Sequence, residues 1–283
     1  MLFIDTLQYL DLYRTFEGKK LLGTLAAVKE HVFITAQITD EVTRNKLEVA
    51  NSFFAEQLKG LNQEFKAIKK GMPDQLFSID VFNDLKAKLN LVSEHINGMN
   101  KAANKAINEL LERIGLSQDD VSLGLSVIFD RAVDASAEEL DRARARKERG
   151  KAPGKVANAL GDQINWEQFL TRVHDWPEVW IISRDGDHCQ KWSEQAVLNP
   201  ALYQDLVKKR QDIVVHCFTE IEKGLRHFTE AKAIADAKLP TPEEADLINK
   251  EQEALPQSLL PRVPPVSPSM SYSDAFHRFR RRF

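Results

Sequence analysis

The sequence predicts an α/β fold, a small parallel sheet flanked by helices, interrupted by a long helical insertion and followed by a Pro-rich C-terminal tail. Three observations predict it. The chain opens on "MLFID" and returns to a second apolar run, "VFIT" (Val32–Thr35), after a helical stretch. Strand, helix and strand in that order set the two strands parallel with a right-handed crossover. A third apolar run, "VWIIS" (Val179–Ser183), has the same buried character. Finally, "PQSLLPRVPPVSPSM" (Pro256–Met270) holds five prolines in fifteen residues, a composition that extends rather than packs.

Each element has its own signal. Between the first two strands, "EGKKLLGTLAAVKEH" places Leu21, Leu22, Leu25 and Val28 at helical spacing. A long helix is expected from Thr39 or Asp40, both suitable N-caps, with a stripe of Val42, Val49, Phe53, Leu61, Phe65 and Ile68. "GMP" (Gly71–Pro73) stops it. A second long helix is expected over 79–115, ended by Gly115, with a cap and restart at "LSQDDV" (Leu116–Val121). Residues 136–149 are charged and helix-prone. "GDQINWEQFLTRVH" reads as a helix with Asp162 at its start. "RDGDH" (Arg184–His188) is the turn leaving the third strand, and residues 197–230 read as helical again. These signals divide the chain into a domain over 1–237 with an insertion of about 50–140, a linker over 238–270, and a basic-aromatic tail over 271–283.

Composition narrows the function classes. The 283 residues are 43% hydrophobic and 29% charged, ordinary for a globular protein, and carry a formal net charge of −3. Nucleic-acid affinity would therefore come from local patches, not from the global field. No run is apolar enough for a membrane span, and the opening residues, broken by Asp5 and Asp11, are not expected to be a signal peptide. Cys189 and Cys217 cannot build a disulfide framework and suit a reducing, cytoplasmic setting. The pairs His188-Cys189 and His216-Cys217 read as core and loop residues rather than a zinc site, because no closely spaced cysteine pair accompanies them.

Acidic residues follow every readable strand. Asp5 ends the first, Glu41 lies in the helix after the second, and Asp185 and Asp187 follow the third. Asp162 begins the helix that leads to the third strand. Parallel strands bring their carboxyl ends to one edge, so these carboxylates are expected to converge. Such a group repels itself unless a cation is present. Oxygen-only ligands point to Mg²⁺ or Mn²⁺. Taken one at a time, each Asp also reads as a cap or a turn residue.

Four motifs in order give the chain a resemblance. "IDTLQYLDLYR", "ITDEVTRNK", "GKAPGKVANALGDQINWEQFL" and "WIISRDGDH" resemble those of the PIN-domain nucleases, in particular a bacterial PIN-like branch with a helical insertion. The third is the most specific, and together they span residues 2–190. The resemblance implies a metal-dependent nuclease, mostly directed at RNA. Its acidic set maps onto Asp5, Glu41, Asp162 and Asp185, with Asp187 as an additional ligand or a turn residue, and Thr6 and Ser183 as hydroxyls orienting the carboxylates. Leu7 departs from the pattern, which often has Asn or Ser there, and removes one polar contact near the metal. The implied chemistry is in-line hydrolysis to 5′-phosphate and 3′-hydroxyl products. By analogy, a toxin or phage-defence effector partnered by an ATPase or antitoxin is expected. A catalytically weak PIN-like interaction module and a structure-specific DNA nuclease are the alternatives.

Cations lie beside this set. Arg142, Arg144, Arg146, Lys147, Arg149, Lys151 and Lys155 run directly into the helix of Asp162. They read either as a solvated helix end or as phosphate contacts. Arg44 and Asn45, one helical turn after Glu41, are further candidates for nucleic-acid contact. The insertion reads as cover for the sheet or as a substrate-selecting cap. In the tail, Tyr272, Phe276, Phe279 and Phe283 fall on one helical face beside Arg280, Arg281 and Arg282. That pattern suits a tethered peptide docking on a partner or a second copy, a disordered basic end, or a nonspecific nucleic-acid contact.

Overall fold

The computed structural model describes residues 1–70, 81–154, 160–193 and 195–255, with side chains described except over 60–86. The chain runs β1 (Leu2–Ile4), α1 (Thr6–Asp11), α2 (Leu21–Val28), β2 (Val32–Phe33), α3 (Ala36–Lys70), α4 (Val81–Gly115), α5 (Asp120–Phe129) and α6 (Ala137–Glu148). It continues with α7 (Gly161–Arg172), β3 (Glu178–Ile182), β4 (Cys189–Trp192), β5 (Gln195–Leu198), α8 (Pro200–Lys209), β6 (Val214–Phe218), α9 (Ile221–Ala231) and α10 (Pro242–Ala254).

β2, β1, β3 and β6 form one parallel sheet in that order, with Leu2 opposite both Val32 and Trp180. The chain leaves β1 to one side for β2, while β3 and β6 lie on the other. The crevice between the carboxyl ends of β1 and β3 is thus the point where strand order reverses, the usual ligand position in an open parallel sheet. Leu2, Phe3 and Ile4, with Val179 to Ile182, are fully buried because helices cover both faces.

The long helix begins earlier than the sequence predicts. Its cap is Thr35, whose hydroxyl accepts from the Ile38 N–H at 3.1 Å, so Thr39 and Asp40 lie inside the helix. Thr35 serves because its hydroxyl can accept from an N–H of the first turn. The stop at Gly71–Pro73 lies outside the described residues, as do the side chains of Leu61, Phe65 and Ile68. The second long helix and the restart are as predicted, with Asp119 capping α5 through the Val121 and Ser122 N–H groups. Ser136 and Glu139 close a capping box on α6.

The insertion is anchored at its base. Lys46 of α3 donates to Ser117 at 2.6 Å and Ser122 at 2.8 Å, and Leu125 and Ile128 of α5 join the core. Val133 then returns to the sheet edge, bonded to Ile34 and Ala36. This end of the insertion covers the sheet, whereas Leu91, Val92 and Met99 of α4 stay exposed.

Three predictions fail beyond α7. Residues 197–230 are not continuous helix: they contain β5, α8, β6 and α9. β6 is a half-buried edge strand, "VVHCF", and a five-residue apolar run does not distinguish strand from helix. The linker does not begin at 238, because α10 occupies 242–254 with a Thr241–Glu244 capping box and Pro242 at its first position. Cys189 of β4 and Cys217 of β6, read as separate residues, are joined by a disulfide. The Pro-rich segment and the basic-aromatic tail lie outside the described residues. No described helix is long and apolar enough to cross a membrane.

Candidate metal centre

Asp5 follows β1 and caps α1. Its backbone N–H continues the sheet to the Ile182 carbonyl at 3.0 Å, fixing it against the end of β3. One carboxylate oxygen accepts from the Thr6 N–H at 2.8 Å and the other from the Ser183 hydroxyl at 3.0 Å. Only 7% of Asp5 is exposed.

Glu41 arrives from α3. One of its oxygens accepts from the Thr6 hydroxyl at 2.9 Å and the other from Gln37 at 2.8 Å. Thr6 and Ser183 thus hydrogen-bond carboxylates, Thr6 touching two of them. Gly161, at the start of α7, has its would-be Cβ on Glu41 Oε1, and a side chain there would displace the carboxylate. This close approach is the physical reason for a glycine immediately before Asp162. Gly154, at φ 83°, faces Asp162 in the same way, with the carboxylate 2.9 Å from an added Cβ.

Asp185 holds the turn after β3. Its Oδ1 accepts from the Asp187 N–H at 2.9 Å and its carbonyl accepts from His188 and Cys189. Asp187 is half-buried, and its carbonyl is bonded to Asn199.

Electrostatics ties these groups together. Burial pushes the Asp5 carboxyl up to about 7, with Asp185 and then Glu41 adding repulsion, while the Ser183 and Thr6 hydrogen bonds oppose the rise. Burial likewise pushes Asp162 up to about 7, with Asp5, Glu41 and Asp185 adding repulsion and His188 opposing it. Among the described residues none of these four carboxylates is ion-paired with a lysine or arginine. Arg184, adjacent to Asp185 in sequence, instead grips Asp11 at 2.8 Å. Carboxylate oxygens are the donor type that Mg²⁺ and Mn²⁺ take. Among the described residues, however, no three His, Cys, Asp or Glu side chains are arranged to hold a metal ion as they stand.

The cations behave differently from one another. Arg146 is 8% exposed and bonded to Glu167 at 2.6 Å, Asp205 at 2.7 Å and the Ala152 carbonyl. Burial in that cage removes it from contact with a phosphate, because the strongest of its partners would have to be abandoned. Arg142 shares Glu167 and also bonds Thr171. Arg144 is exposed and pairs only with its neighbour Asp141, and Arg149 and Lys151 are exposed. Arg44 is exposed on α3 and Asn45 half-buried beside it. Lys155 lies outside the described residues.

The sequence reading missed one contact to a candidate acid. Gln37 lies one turn before Glu41 and is bonded to it, at an α-helical spacing that carried the signal. His188, read as a core or loop residue, is 2% exposed and packs beside Phe3 and Trp166. Comparison with protein-family models, with curated proteins and with solved structures finds no match for the chain.

Proposed function

We propose that this chain is a PIN-like, Mg²⁺- or Mn²⁺-dependent nuclease that hydrolyses phosphodiesters of RNA. One observation carries the reading: two carboxyls from distant parts of the chain, Asp5 and Asp162, are both driven up to about 7 at the strand-order crevice, with Glu41 and Asp185 contributing and, among the described residues, no Lys or Arg paired to any of the four. Asp5, Glu41, Asp162 and Asp185 would hold the ion, with Asp187 behind them. When bound, it supplies a polarised phosphate and a water acidic enough to attack near neutral pH.

The remaining steps belong to the chain itself. Thr6, Ser183 and Gln37 fix the carboxylates by hydrogen bonds, so that little reorganisation remains when a substrate arrives. The exposed cations Arg44, Arg144, Arg149 and Lys151 suit contacts to a phosphate backbone, which carries no sequence information. Products would bear 5′-phosphate and 3′-hydroxyl ends. A toxin or phage-defence role, with an ATPase or antitoxin as partner, belongs to the same proposal by analogy.

A second reading, a PIN-like module that binds without cutting, is favoured by the lack of a ready three-ligand arrangement among the described residues. Leu7, buried on α1, adds no polar group. The deciding experiment incubates the purified chain with end-labelled single-stranded RNA, single-stranded DNA and flapped duplex DNA, with Mg²⁺ or Mn²⁺. Cleavage of RNA that falls at least about 100-fold in both Asp5→Asn and Asp162→Asn supports the nuclease. Binding without cleavage under every condition supports the module, and cleavage confined to the flapped duplex makes the chain a DNA enzyme.

A further inference from the structure

Trp180 is fully buried in β3, and its indole N–H donates to Nδ1 of His227 on α9 at 2.9 Å. An imidazole nitrogen that accepts a hydrogen bond carries no proton. His227 is therefore neutral, with its proton on Nε2, for as long as this bond exists. Imidazolium has a donor at both nitrogens and would set N–H against N–H. Protonation of His227 and the bond to Trp180 exclude each other.

The surroundings disfavour a charge on this ring. His216 of β6, opposite Trp180 in the register, stacks on the indole at 4.6 Å and lies 4.7 Å from the His227 ring. Glu178, at the start of β3, accepts from His216 at 2.8 Å with one oxygen and from Lys232 at 2.5 Å with the other, so both are already engaged. Lys232 also lies over the Trp180 ring, 5.1 Å from its centroid. The Met1 amine is bonded to the Glu178 carbonyl, and His31 packs on Phe228, the next residue of α9. On α9 itself Lys223 lies one turn before His227 and Glu230 one turn after. α2, which also packs on α9, carries no titratable residue, and α10 meets the first turn of α9 through Asn249 and Gln252. Partial desolvation against the sheet, and then His216, hold His227 below the usual histidine range, with Glu230 and Glu178 opposing.

We propose that the Trp180–His227 bond is an acid-sensitive latch: a proton on His227 breaks it and loosens α9 from the sheet. His227 is exposed apart from this contact, so a proton reaches it without any opening of the fold. The buried indole then faces a donor instead of an acceptor. α9 lies close against β3, where a Cβ on Gly224 would collide with Ile182, the residue before Ser183. Loosening the helix thus acts on the end of β3. The sign follows from the neutral form being the bonded one. A histidine held below its ordinary value contributes stability that is full above about pH 6.5 and declines as pH falls below it. The latch stands apart from the metal-dependent reading, and the failure of either leaves the other untouched.

Nuclear magnetic resonance of the full chain labelled in ¹⁵N tests the latch between about pH 8 and about pH 5. At the upper end the Trp180 indole N–H should show a scalar coupling across the hydrogen bond to Nδ1 of His227. At the lower end that coupling should vanish, the indole signal should shift, and amide protection along α9 should fall about 10-fold beyond the intrinsic effect of pH. In His227→Gln the side-chain oxygen accepts the same N–H but takes up no proton. Indole signal and α9 protection should then hold across the whole range. An indole signal that does not move in the parent overturns the latch. The same movement persisting in His227→Gln overturns it too, because another group would then be titrating. If His227→Gln fails to fold, the parent decides alone: the Nδ1 signal of His227 and the indole signal must change with one midpoint, and two different midpoints overturn the latch.

Discussion

The Thr6 hydroxyl donates to Glu41 at 2.9 Å across thirty-five residues of sequence, tying the end of the first strand to the long helix. The same residue donates its N–H to Asp5. Thr6→Val keeps the shape and the N–H but removes the hydroxyl. The chain should lose about 1 kcal/mol or less of stability, since Glu41 keeps Gln37. Mn²⁺ affinity should fall about 10-fold or more, because an unfastened carboxylate must be ordered on binding. Thermal melting and calorimetric titration measure the two effects separately. Equal affinity in Thr6→Val and the parent would remove Thr6 from the orienting role.

The Asp5 and Asp162 carboxyls give a pH dependence with a defined sign. Both are pushed up to about 7, chiefly by burial, and return to about 3.9 when the chain unfolds. A folded value above the unfolded one means that the folded chain binds protons more readily. The associated stability is therefore complete below about pH 4 and is lost as pH rises through about 7. The loss is on the order of 4 kcal/mol or less, because part of each rise is the same mutual repulsion. Asp5→Asn removes one of the two groups and should melt higher than the parent at pH 8 but not at pH 4, by several degrees for a domain of this size. Adding Mn²⁺ should erase the parent's decline. A melting difference that stays constant between those pH values would show that Asp5 does not titrate there.

How much of this was legible follows from which forces are local. The strand ends were readable because buried parallel strands are short apolar runs, and the acids after them stood out against that pattern. Asp5, Glu41, Asp162 and Asp185 stood out that way, and in the fold Glu41 and Asp185 act on Asp5, and all three act on Asp162. β6 was not readable, since "VVHCF" has only five residues and an edge position gives it no alternation to detect. α10 was hidden by the shift toward Pro and Glu at 240–244, which is also the composition of a capped helix start. The packing of His188 against Phe3 and Trp166 was invisible because those residues come from parts of the chain far from it in sequence.

The basic run should separate into two classes. Arg146 bridges α7 and α8 through Glu167 and Asp205, and its loss would leave the buried Glu167 only the longer contact to Arg142. Arg146→Ala should cost about 3–5 kcal/mol, read by denaturant unfolding. Arg144→Ala with Arg149→Ala should change stability little, because both side chains are exposed. Their joint effect should appear instead as a salt dependence of RNA binding shallower by up to about two units, uniform across sequences. An unchanged slope in the double variant would mean that this helix end does not meet the RNA.

The last described helix is structural, and its removal should show it. Gln252 of α10 accepts from the Ile221 N–H at 3.1 Å and donates to Asp11 at 2.9 Å, and it also bonds Gln8. Asp11 is 2% exposed and is already gripped by Arg14 and Arg184, and Arg184 reaches on to the Leu255 carbonyl at 3.2 Å. The start of α9, the first helix and the turn before Asp185 thus meet on one glutamine. Gln252→Ala would leave the buried Gln8 Oε1 and the Ile221 N–H without partners, at a cost of about 1–3 kcal/mol. A chain ended after Leu255 keeps every one of these bonds and should melt with the full-length protein. A chain ended after Pro240 loses the bonds made by Gln252 and Leu255, along with the buried Ala245 and Ile248, and should melt at least several degrees lower. Should the two shortened chains melt alike, α10 would not belong to the folded domain.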